Sequence, residues 1–232
     1  VTHLFGHPCD MHPILALASR NRVPVIEDCS QAFLAEYNGR LVGTMGTIGC
    51  FSLQQGKHMT CGEGGLLITR EDWLAHRARL FINKGWDYDI PYPDHATLAL
   101  NYRLSELQSA VALAQLGKLR GVVTARQRVA AALTDGLRGL RGLAVPRTAP
   151  WATPVYWKYA VQVDDNVLGD VTQIAAKLEA HGVLTWPRYI QKPAFACPVI
   201  RDRLPSRVPA EWYASFPGTS RALSSVLVVP IN

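Results

Sequence analysis

The chain has 232 residues, of which 48% are hydrophobic and 18% are charged, a composition typical of a globular protein with an ample core. Its formal net charge of +6 comes from 24 basic and 18 acidic residues. The basic residues lie singly and in pairs without interleaved aromatic residues, which argues against a nucleic-acid-binding protein. No apolar run approaches the ~18 residues of a membrane span, and no basic-then-apolar leader is visible, so neither a membrane protein nor a secreted one is expected.

The cysteines are odd in number and include no C-x-x-C pair, so we expect free thiols in a reducing cytoplasm. They are Cys9, Cys29, Cys50, Cys61 and Cys197. One group of residues could suggest a metal, namely His3, His7, Cys9 and His12. Its spacing is not that of a recognised zinc site, and we predict no metal.

The first elements are predicted to form a β-α-β unit. Thr2 to Phe5 is predicted as a strand, and Asp10 can cap an amphipathic helix that follows it. The run from Val23 to Asp28 (VPVIED) predicts a buried parallel strand that ends in two carboxylates. Glu27 and Asp28 are adjacent and therefore point to opposite faces of the strand, so only Asp28 is predicted to face a ligand.

A lysine in a glycine-rich turn comes next, after a turn signal at Asn38-Gly39. Lys57 lies between a short apolar strand and a glycine cluster that leads into a strand from Leu66 to Thr69. Glycines let the backbone approach a ligand closely and adopt a positive φ. Ligands of open α/β sheets lie at the carboxyl ends of the strands, so Lys57 and Asp28 are expected near one ligand. An amine for a Schiff base and a carboxylate for a protonated pyridine nitrogen match the needs of pyridoxal phosphate.

The following segment alternates helices and an irregular stretch. Glu71 to Phe81 predicts an amphipathic helix. Gly85 to His95 (GWDYDIPYPDH) shows no periodicity and predicts a long loop, either functional or a surface excursion. Ser105 and Gln108 form an S-x-x-Q capping box, which predicts that a helix starts there.

A change of composition suggests a domain boundary near residue 144. A helical stretch ending near Leu140 is followed by PRTAPWATP from Pro146 to Pro154, which predicts a linker. Beyond it we predict a strand from Tyr156 to Val163, a helix from Val171 to His181 and a final strand from Ser225 to Val229. We therefore predict one domain over residues 1–143 and a smaller one over residues 144–232.

Four segments, in this order, resemble motifs of the DegT/DnrJ/EryC1/StrS aminotransferases: EDCSQA from Glu27, FSLQQGK from Phe51, GEGG from Gly62 and NYRLSELQSAVALAQL from Asn101. The resemblance implies the α/β fold type I of pyridoxal-phosphate-dependent transferases. Residues 1–143 would be the C-terminal part of the large domain, with a mostly parallel sheet, and residues 144–232 an incomplete small α+β domain. Because the sequence begins at Val1 within a motif, we expect a fragment that lacks the upstream turn holding most of the cofactor phosphate.

The resemblance also implies roles for five residues. Lys57 would form the Schiff base with the cofactor and then move a proton between the donor and the cofactor. Asp28 would pair with the protonated ring nitrogen, Gln31 would contact the side of the phenolic oxygen, and Ser52 would contact the phosphate. Asn101 would reach the phosphate of the neighbouring subunit's cofactor, which implies a homodimer.

The activity implied by the resemblance is transfer of an amino group from glutamate or glutamine to a nucleotide-linked keto sugar or a keto cyclitol, in antibiotic or surface-glycan biosynthesis. FSLQQGK leans towards the cyclitol members. One alternative is a pyridoxal-phosphate sugar dehydratase of the same fold, but those proteins carry histidine in place of Lys57. Another is a non-enzymatic cofactor-sensing module. The family usually has histidine and glycine at Phe33 and Leu34, so the local wall of the site differs here.

Overall fold

The computed structural model describes residues 1–203 and 212–231. The chain divides into two compact units, which interleave along the sequence. The first comprises Val1–Gln127 and Thr148–Trp157, and the second comprises Arg128–Arg147 and Lys158–Asn232. The single boundary near residue 144 stays a prediction.

The described part of the chain contains α-helices and short strands throughout. The helices are α1 (Met11–Asn21), α2 (Asp72–Ile82), α3 (Glu106–Leu116), α4 (Leu119–Leu137), α5 (Asp165–Leu168), α6 (Val171–Ala180), α7 (Pro198–Arg201), α8 (Trp212–Ser215) and α9 (Pro217–Ser225). The strands are β1 (Ile26–Asp28), β2 (Glu36–Tyr37), β3 (Arg40–Leu41), β4 (Ile48–Ser52), β5 (Gly65–Ile68), β6 (Trp86–Asp87), β7 (Asp94–His95), β8 (Leu143–Ala144), β9 (Ala152–Thr153), β10 (Tyr159–Val163), β11 (Trp186–Pro187) and β12 (Val226–Val229). None of the described helices combines the length and the apolarity needed to cross a membrane.

The sheet that positions the site has the order β1-β4-β5. β1 runs parallel to β4, with Asp28 opposite Cys50, and β5 runs antiparallel to β4. Because β1 and β4 are parallel, their carboxyl ends lie at the same edge. Ser52 ends β4 two residues beyond Cys50, which places it roughly 7 Å further along the strand direction than the level of Asp28.

Two predictions at the start of the chain are wrong in detail. Thr2 forms a single parallel bridge with Asp28, and Leu4–Gly6 is a 3₁₀ turn rather than the end of a strand. The N–H of Phe5 goes to the side chain of Gln31 instead of to a neighbouring strand. The predicted buried strand from residue 23 is only three residues long, and Ile26 is 53% exposed. Pro24 has no N–H to donate to a strand ladder, which explains the late start.

A second small sheet has the order β3-β2-β9. Asn38 and Gly39 both have positive φ, 47° and 74°, so the predicted turn closes the β2–β3 hairpin as a type I′ turn would. Thr153 of β9 lies opposite Glu36 of β2. The segment predicted as a linker therefore includes a strand that pairs within the first unit.

The stretch from Gly85 to His95, predicted as a loop, contains a short hairpin. β6 and β7 pair antiparallel, with Trp86 opposite His95 and their rings 4.9 Å apart. Such a cross-strand ring pair stabilises a hairpin too short to show periodicity in the sequence. The predicted capping box at the start of α3 is confirmed, since Ser105 and Gln108 exchange both bonds. Leu107, in the first turn of α3, is 83% exposed.

The second unit is built on an antiparallel sheet of order β11-β12-β10-β8. Alternate residues of β10 are buried, and Val161 pairs with the buried Leu227 of β12. Asp170 caps α6 by accepting bonds from the N–H groups of Thr172 and Gln173. The predicted strands and helix of this region are confirmed, with ends that differ by up to three residues.

Candidate active site

Four of the five predicted site residues lie near one edge of the central sheet. Asp28 is the last residue of β1, Ser52 is the last residue of β4, and Gln31 follows Asp28 by three positions. Lys57 lies in the turn between β4 and β5. All four are half-buried, so their side chains are held by the fold and remain accessible to a small molecule.

The Lys57 turn is fixed by its own hydrogen bonds and by the core. Lys57 N–H donates to the carbonyl of Gln54 at 3.0 Å, and the side-chain oxygen of Gln54 accepts from Gly56 N at 2.8 Å. Leu53 and Met59, on either side of the turn, are 0% and 4% exposed and belong to the main core of the first unit. The backbone that carries Lys57 is therefore anchored at both ends.

One glycine of the predicted cluster is required by space. Gly64 has a φ of 155°, and a Cβ added there would lie 2.9 Å from Leu104 Cδ1 and 3.0 Å from Cys61 Sγ. A Cβ there would require these side chains to move, and the positive φ is one that residues other than glycine rarely adopt. The glycine lets the chain return from the Lys57 turn into β5, where Gly64 carbonyl accepts a bond from Leu53 N at 2.8 Å.

The amine of Lys57 has an environment suited to proton transfer. Burial is the larger influence and lowers the pKa of Lys57 below its ordinary value, while the negative charge of Asp28 acts in the opposite direction. The amine nitrogen lies 4.3 Å from the centroid of the Trp157 ring. A lysine with a lowered pKa has a larger unprotonated fraction near neutral pH, as a nucleophile or a base requires.

The other three residues keep unused hydrogen-bonding capacity. Asp28 Oδ1 accepts from Ser30 N at 3.0 Å, Gln31 Oε1 accepts from Phe5 N at 2.7 Å, and Ser52 Oγ accepts from Gln54 N at 3.3 Å. Within residues 1–203 and 212–231, the second Asp28 oxygen, the Gln31 amide hydrogens and the Ser52 hydroxyl hydrogen have no assigned partner. The site thus offers one acceptor oxygen, from Asp28, and two donor groups, the Gln31 amide and the Ser52 hydroxyl, beside the Lys57 amine.

Asn101, the fifth predicted residue, has hydrogen-bond partners outside this group of four. It forms an isolated antiparallel bridge with Asn83, and its side-chain oxygen accepts from N and Nε of Arg103, both at 3.2 Å. Asn101 is exposed. Within residues 1–203 and 212–231, no hydrogen bond or ion pair joins Asn101 to the cluster around Lys57.

Glu27 lies on the face of β1 opposite Asp28 and is fully buried. Its carboxylate accepts from the N–H groups of Gly43, Met45 and Gly46 at 2.6–2.7 Å and from His3 Nε2 at 3.1 Å. His3 Nδ1 accepts the N–H of Cys9, so the ring proton is on Nε2. Burial disfavours ionisation of Glu27, but these bonds outweigh it and lower its pKa to about 2.

Comparison with known proteins identifies the family of this chain. The profile of the DegT/DnrJ/EryC1/StrS aminotransferase family matches residues 1–232. The chain belongs to this family. The predicted family is thereby confirmed.

The names of curated relatives describe enzymes that act on sugars or cyclitols. A dTDP-3-amino-3,4,6-trideoxy-alpha-D-glucose transaminase of Streptomyces venezuelae is 32% identical over 231 residues, which are 99% of this chain and 57% of the relative. An L-glutamine:2-deoxy-scyllo-inosose aminotransferase of Micromonospora echinospora is 35% identical over 181 residues, 74% of this chain and 43% of the relative. The chain thus spans roughly half the length of these relatives.

Solved structures of the family share the fold. The crystal structure of S. venezuelae DesV in complex with a ketimine intermediate superposes with a TM-score of 0.86 at 33% identity, covering 99% of this chain and 58% of that one. The sugar aminotransferase CalS13 of Micromonospora echinospora superposes with a TM-score of 0.86 at 25% identity, covering 100% of this chain and 61% of that one. The predicted α/β fold type I is confirmed.

Sequence reasoning missed two contacts between the Lys57 turn and a distant segment of this family member. His58 Nε2 lies 3.1 Å from the carbonyl of Val155, and Trp157 Nε1 donates to the carbonyl of Gly56 at 2.6 Å. These contacts join residues about a hundred positions apart. No local pattern predicts such a contact, and the tryptophan itself was hidden in what was predicted as an ordinary strand.

Proposed function

We propose that this protein is a pyridoxal-phosphate-dependent aminotransferase that moves an amino group from glutamate or glutamine to a keto group on a nucleotide-linked sugar or a cyclitol. The observation that carries the proposal is the half-buried Lys57 amine, with its lowered pKa, close enough to the Asp28 carboxylate to be influenced by its charge. Membership of an aminotransferase family and the names of the relatives support the substrate class.

The residues present fit the chemical groups of pyridoxal phosphate. Lys57 supplies the amine for its aldehyde, and the unused oxygen of Asp28 is an acceptor for a protonated ring nitrogen. The unused donors of Gln31 and Ser52 suit the phenolic oxygen and the phosphate. These four side chains therefore match the aldehyde, the ring nitrogen, the phenolic oxygen and part of the phosphate, and the hydrogen bonds of Asp28, Gln31 and Ser52 within the protein leave these groups available.

The mechanism follows from these roles. The cofactor, when bound, supplies an electron sink that stabilises negative charge at the Cα of the amino donor. The Lys57 amine, whose pKa is lowered by burial, would take the proton from that carbon and deliver it to the cofactor. The Asp28 carboxylate would favour a positive ring nitrogen by its charge, and Ser52 and Gln31 would help to hold the cofactor through its phosphate and its phenolic oxygen.

The proposal also includes a homodimer in the cytoplasm. Asn101 is exposed, as expected of a residue that serves the neighbouring subunit. Large apolar side chains around it are exposed as well: Leu98, Leu100 and Leu107 are 98%, 63% and 83% exposed. An interface between copies of the chain would bury such a surface. Antibiotic or surface-glycan biosynthesis remains the proposed context.

A labelling experiment tests the assignment of the lysine. The full-length protein that contains this chain is incubated with pyridoxal phosphate, reduced with borohydride and digested, and the modified peptide is identified by mass spectrometry. We expect the label on Lys57. Lys57→Ala should lose it and Lys84→Ala should keep it. A label on Lys84 or Lys192, or no label in the wild-type protein, would refute the assignment.

A further inference from the structure

Three consecutive residues of the Lys57 turn contact one short segment, residues 155–157. The carbonyl of Gly56 accepts from Trp157 Nε1 at 2.6 Å. The Lys57 amine lies 4.3 Å from the centroid of the Trp157 ring. His58 Nε2 lies 3.1 Å from the carbonyl of Val155. The indole of Trp157 thus contacts both the backbone just before Lys57 and the reactive amine itself.

The segment that supplies these contacts is itself firmly held. Val155 N–H donates to Gly6 carbonyl at 2.9 Å, and Trp157 N–H donates to Phe5 carbonyl at 2.8 Å. The carbonyl of Trp157 accepts from Nη1 of Arg126 at 3.1 Å. Trp157 is 7% exposed. Its ring is therefore a fixed surface beneath the amine rather than a mobile side chain.

We propose that Trp157 is a positioning residue for the Lys57 amine. Its N–H fixes the backbone of the turn, and its ring face holds the ammonium form in one orientation. The face of an indole attracts a cation, most strongly where water is partly excluded. A lysine side chain otherwise samples many rotamers, so fixing it reduces the conformational entropy that must be lost when it reacts.

Among the residues that the structure describes, Asp28 and His58 are the titratable groups whose charges are coupled to that of the Lys57 amine. Burial lowers the pKa of Lys57, and the charge of the Asp28 carboxylate opposes this by a smaller amount. His58 is the other titratable neighbour, and burial, with smaller contributions from Arg126 and Lys57, lowers the pKa of His58 to about 4. His58 is therefore neutral at pH 7, and Asp28 and the Trp157 ring are the groups that stabilise the ammonium.

The first test needs no cofactor. The pKa of Lys57 is measured in Trp157→Phe, Trp157→Leu and wild type from the pH dependence of labelling by an amine-selective reagent, followed on the Lys57 peptide. Loss of the aromatic face in Trp157→Leu should lower the pKa of Lys57 by about half a unit to one unit, and Trp157→Phe should lower it less. Trp151→Leu is the matched control, because Trp151 packs on Tyr37 and not on the amine, and should leave the pKa unchanged.

The second test uses pyridoxal phosphate and rests on the proposed function. The rate of condensation with the protein, followed by absorbance and corrected for the unprotonated fraction of Lys57, should fall about tenfold in Trp157→Leu. Trp157→Phe, which keeps a ring and loses the N–H, should lie between this variant and wild type, and Trp151→Leu should stay within about twofold. Urea unfolding of each variant shows that the folded protein is compared.

The two proposals fail separately. If wild-type Lys57 does not condense with pyridoxal phosphate, the proposed function fails, and the labelling pKa still decides the role of Trp157. If Trp157→Leu matches Trp151→Leu in the pKa of Lys57 and in the rate, Trp157 has only a packing role and the inference is overturned. Should Trp157→Leu not fold, an unaltered pKa and rate in Trp157→Phe would overturn it equally.

Discussion

The two faces of β1 carry adjacent carboxylates with opposite surroundings. Glu27 is fully buried, and both of its oxygens accept hydrogen bonds from three backbone N–H groups and His3. Asp28 is half-buried, uses one oxygen to accept a single backbone N–H and leaves the other available near Lys57. A carboxylate whose two oxygens both accept hydrogen bonds from the protein holds loops against the strand. A carboxylate with one oxygen still unbonded can bind a ligand. Both side chains are carboxylates, so it is their hydrogen bonds that distinguish the structural role of Glu27 from the binding role proposed for Asp28.

Removal of the Lys57 amine, which lies near Asp28, should reduce the activity more than any other substitution proposed here. We expect Lys57→Ala to reduce transamination about 10⁴-fold, because both the nucleophile and the proton-transfer group are lost. The free energy of unfolding should change by less than about 1 kcal/mol. Steady-state kinetics and urea unfolding measure the two, with Lys84→Ala as the control. Substantial activity in Lys57→Ala would remove Lys57 from the mechanism.

Asp28→Asn should have the next largest effect. The amide keeps the shape of the side chain and loses the charge that favours a protonated ring nitrogen, so turnover should fall about 10²-fold. Binding of pyridoxal phosphate, measured by absorbance, should persist. If turnover is close to wild type, the role of Asp28 is wrong and the contrast with Glu27 disappears.

Glu27→Gln tests the structural side. The amide group of glutamine places N–H hydrogens against backbone N–H groups in a buried site, so we expect the free energy of unfolding to fall by about 3 kcal/mol. Turnover per folded molecule should remain within about threefold of wild type. Glu71→Gln, an exposed glutamate without a side-chain cap bond, is the control. Unchanged stability in Glu27→Gln would show that the four bonds do not support the fold.

Lowering the pH should reduce the stabilisation by Glu27 by a smaller amount than the Glu27→Gln substitution does. The pKa of Glu27 is lowered from its ordinary 4.5 to about 2 in the folded protein, so its stabilisation is complete above pH 4.5 and is lost as the pH falls towards 2. About 1.4 kcal/mol of it should be gone by pH 3.5. Urea midpoints at pH 7, 5 and 3.5 should therefore fall less in Glu27→Gln than in wild type. Parallel curves would contradict the lowered pKa.

Local signals in the sequence predicted local structure well. Asn38-Gly39 gave a hairpin because both positions tolerate positive φ, and Ser105 with Gln108 gave a helix start because the two side chains satisfy each other's backbone. The family motifs predicted the fold class for the whole chain. The roles of Lys57, Asp28 and the other site residues stay predictions, although the structure brings four of the five to one edge.

Contacts between distant residues were beyond the reach of pattern reasoning. Glu27 was assigned no role, because its partners at His3 and at residues 43–46 are 16 to 24 positions away. The β6–β7 hairpin was missed because two-residue strands show no alternation. Trp157 was missed because its contact with the Lys57 turn spans 101 positions. In each case the decisive fact is which backbone group lies opposite the side chain.

That long-range contact has a consequence during synthesis on the ribosome. The Lys57 turn emerges early, but Val155 and Trp157, which contact His58 and Gly56, are translated about a hundred codons later. At a translation rate of roughly 5–20 residues per second, the turn exists for roughly 5–20 s before residues 155–157 can contact it. Throughout that interval a nascent chain presents a lysine whose side chain is unrestrained, and aldehydes in the cell meet an amine that is not yet poised to capture them.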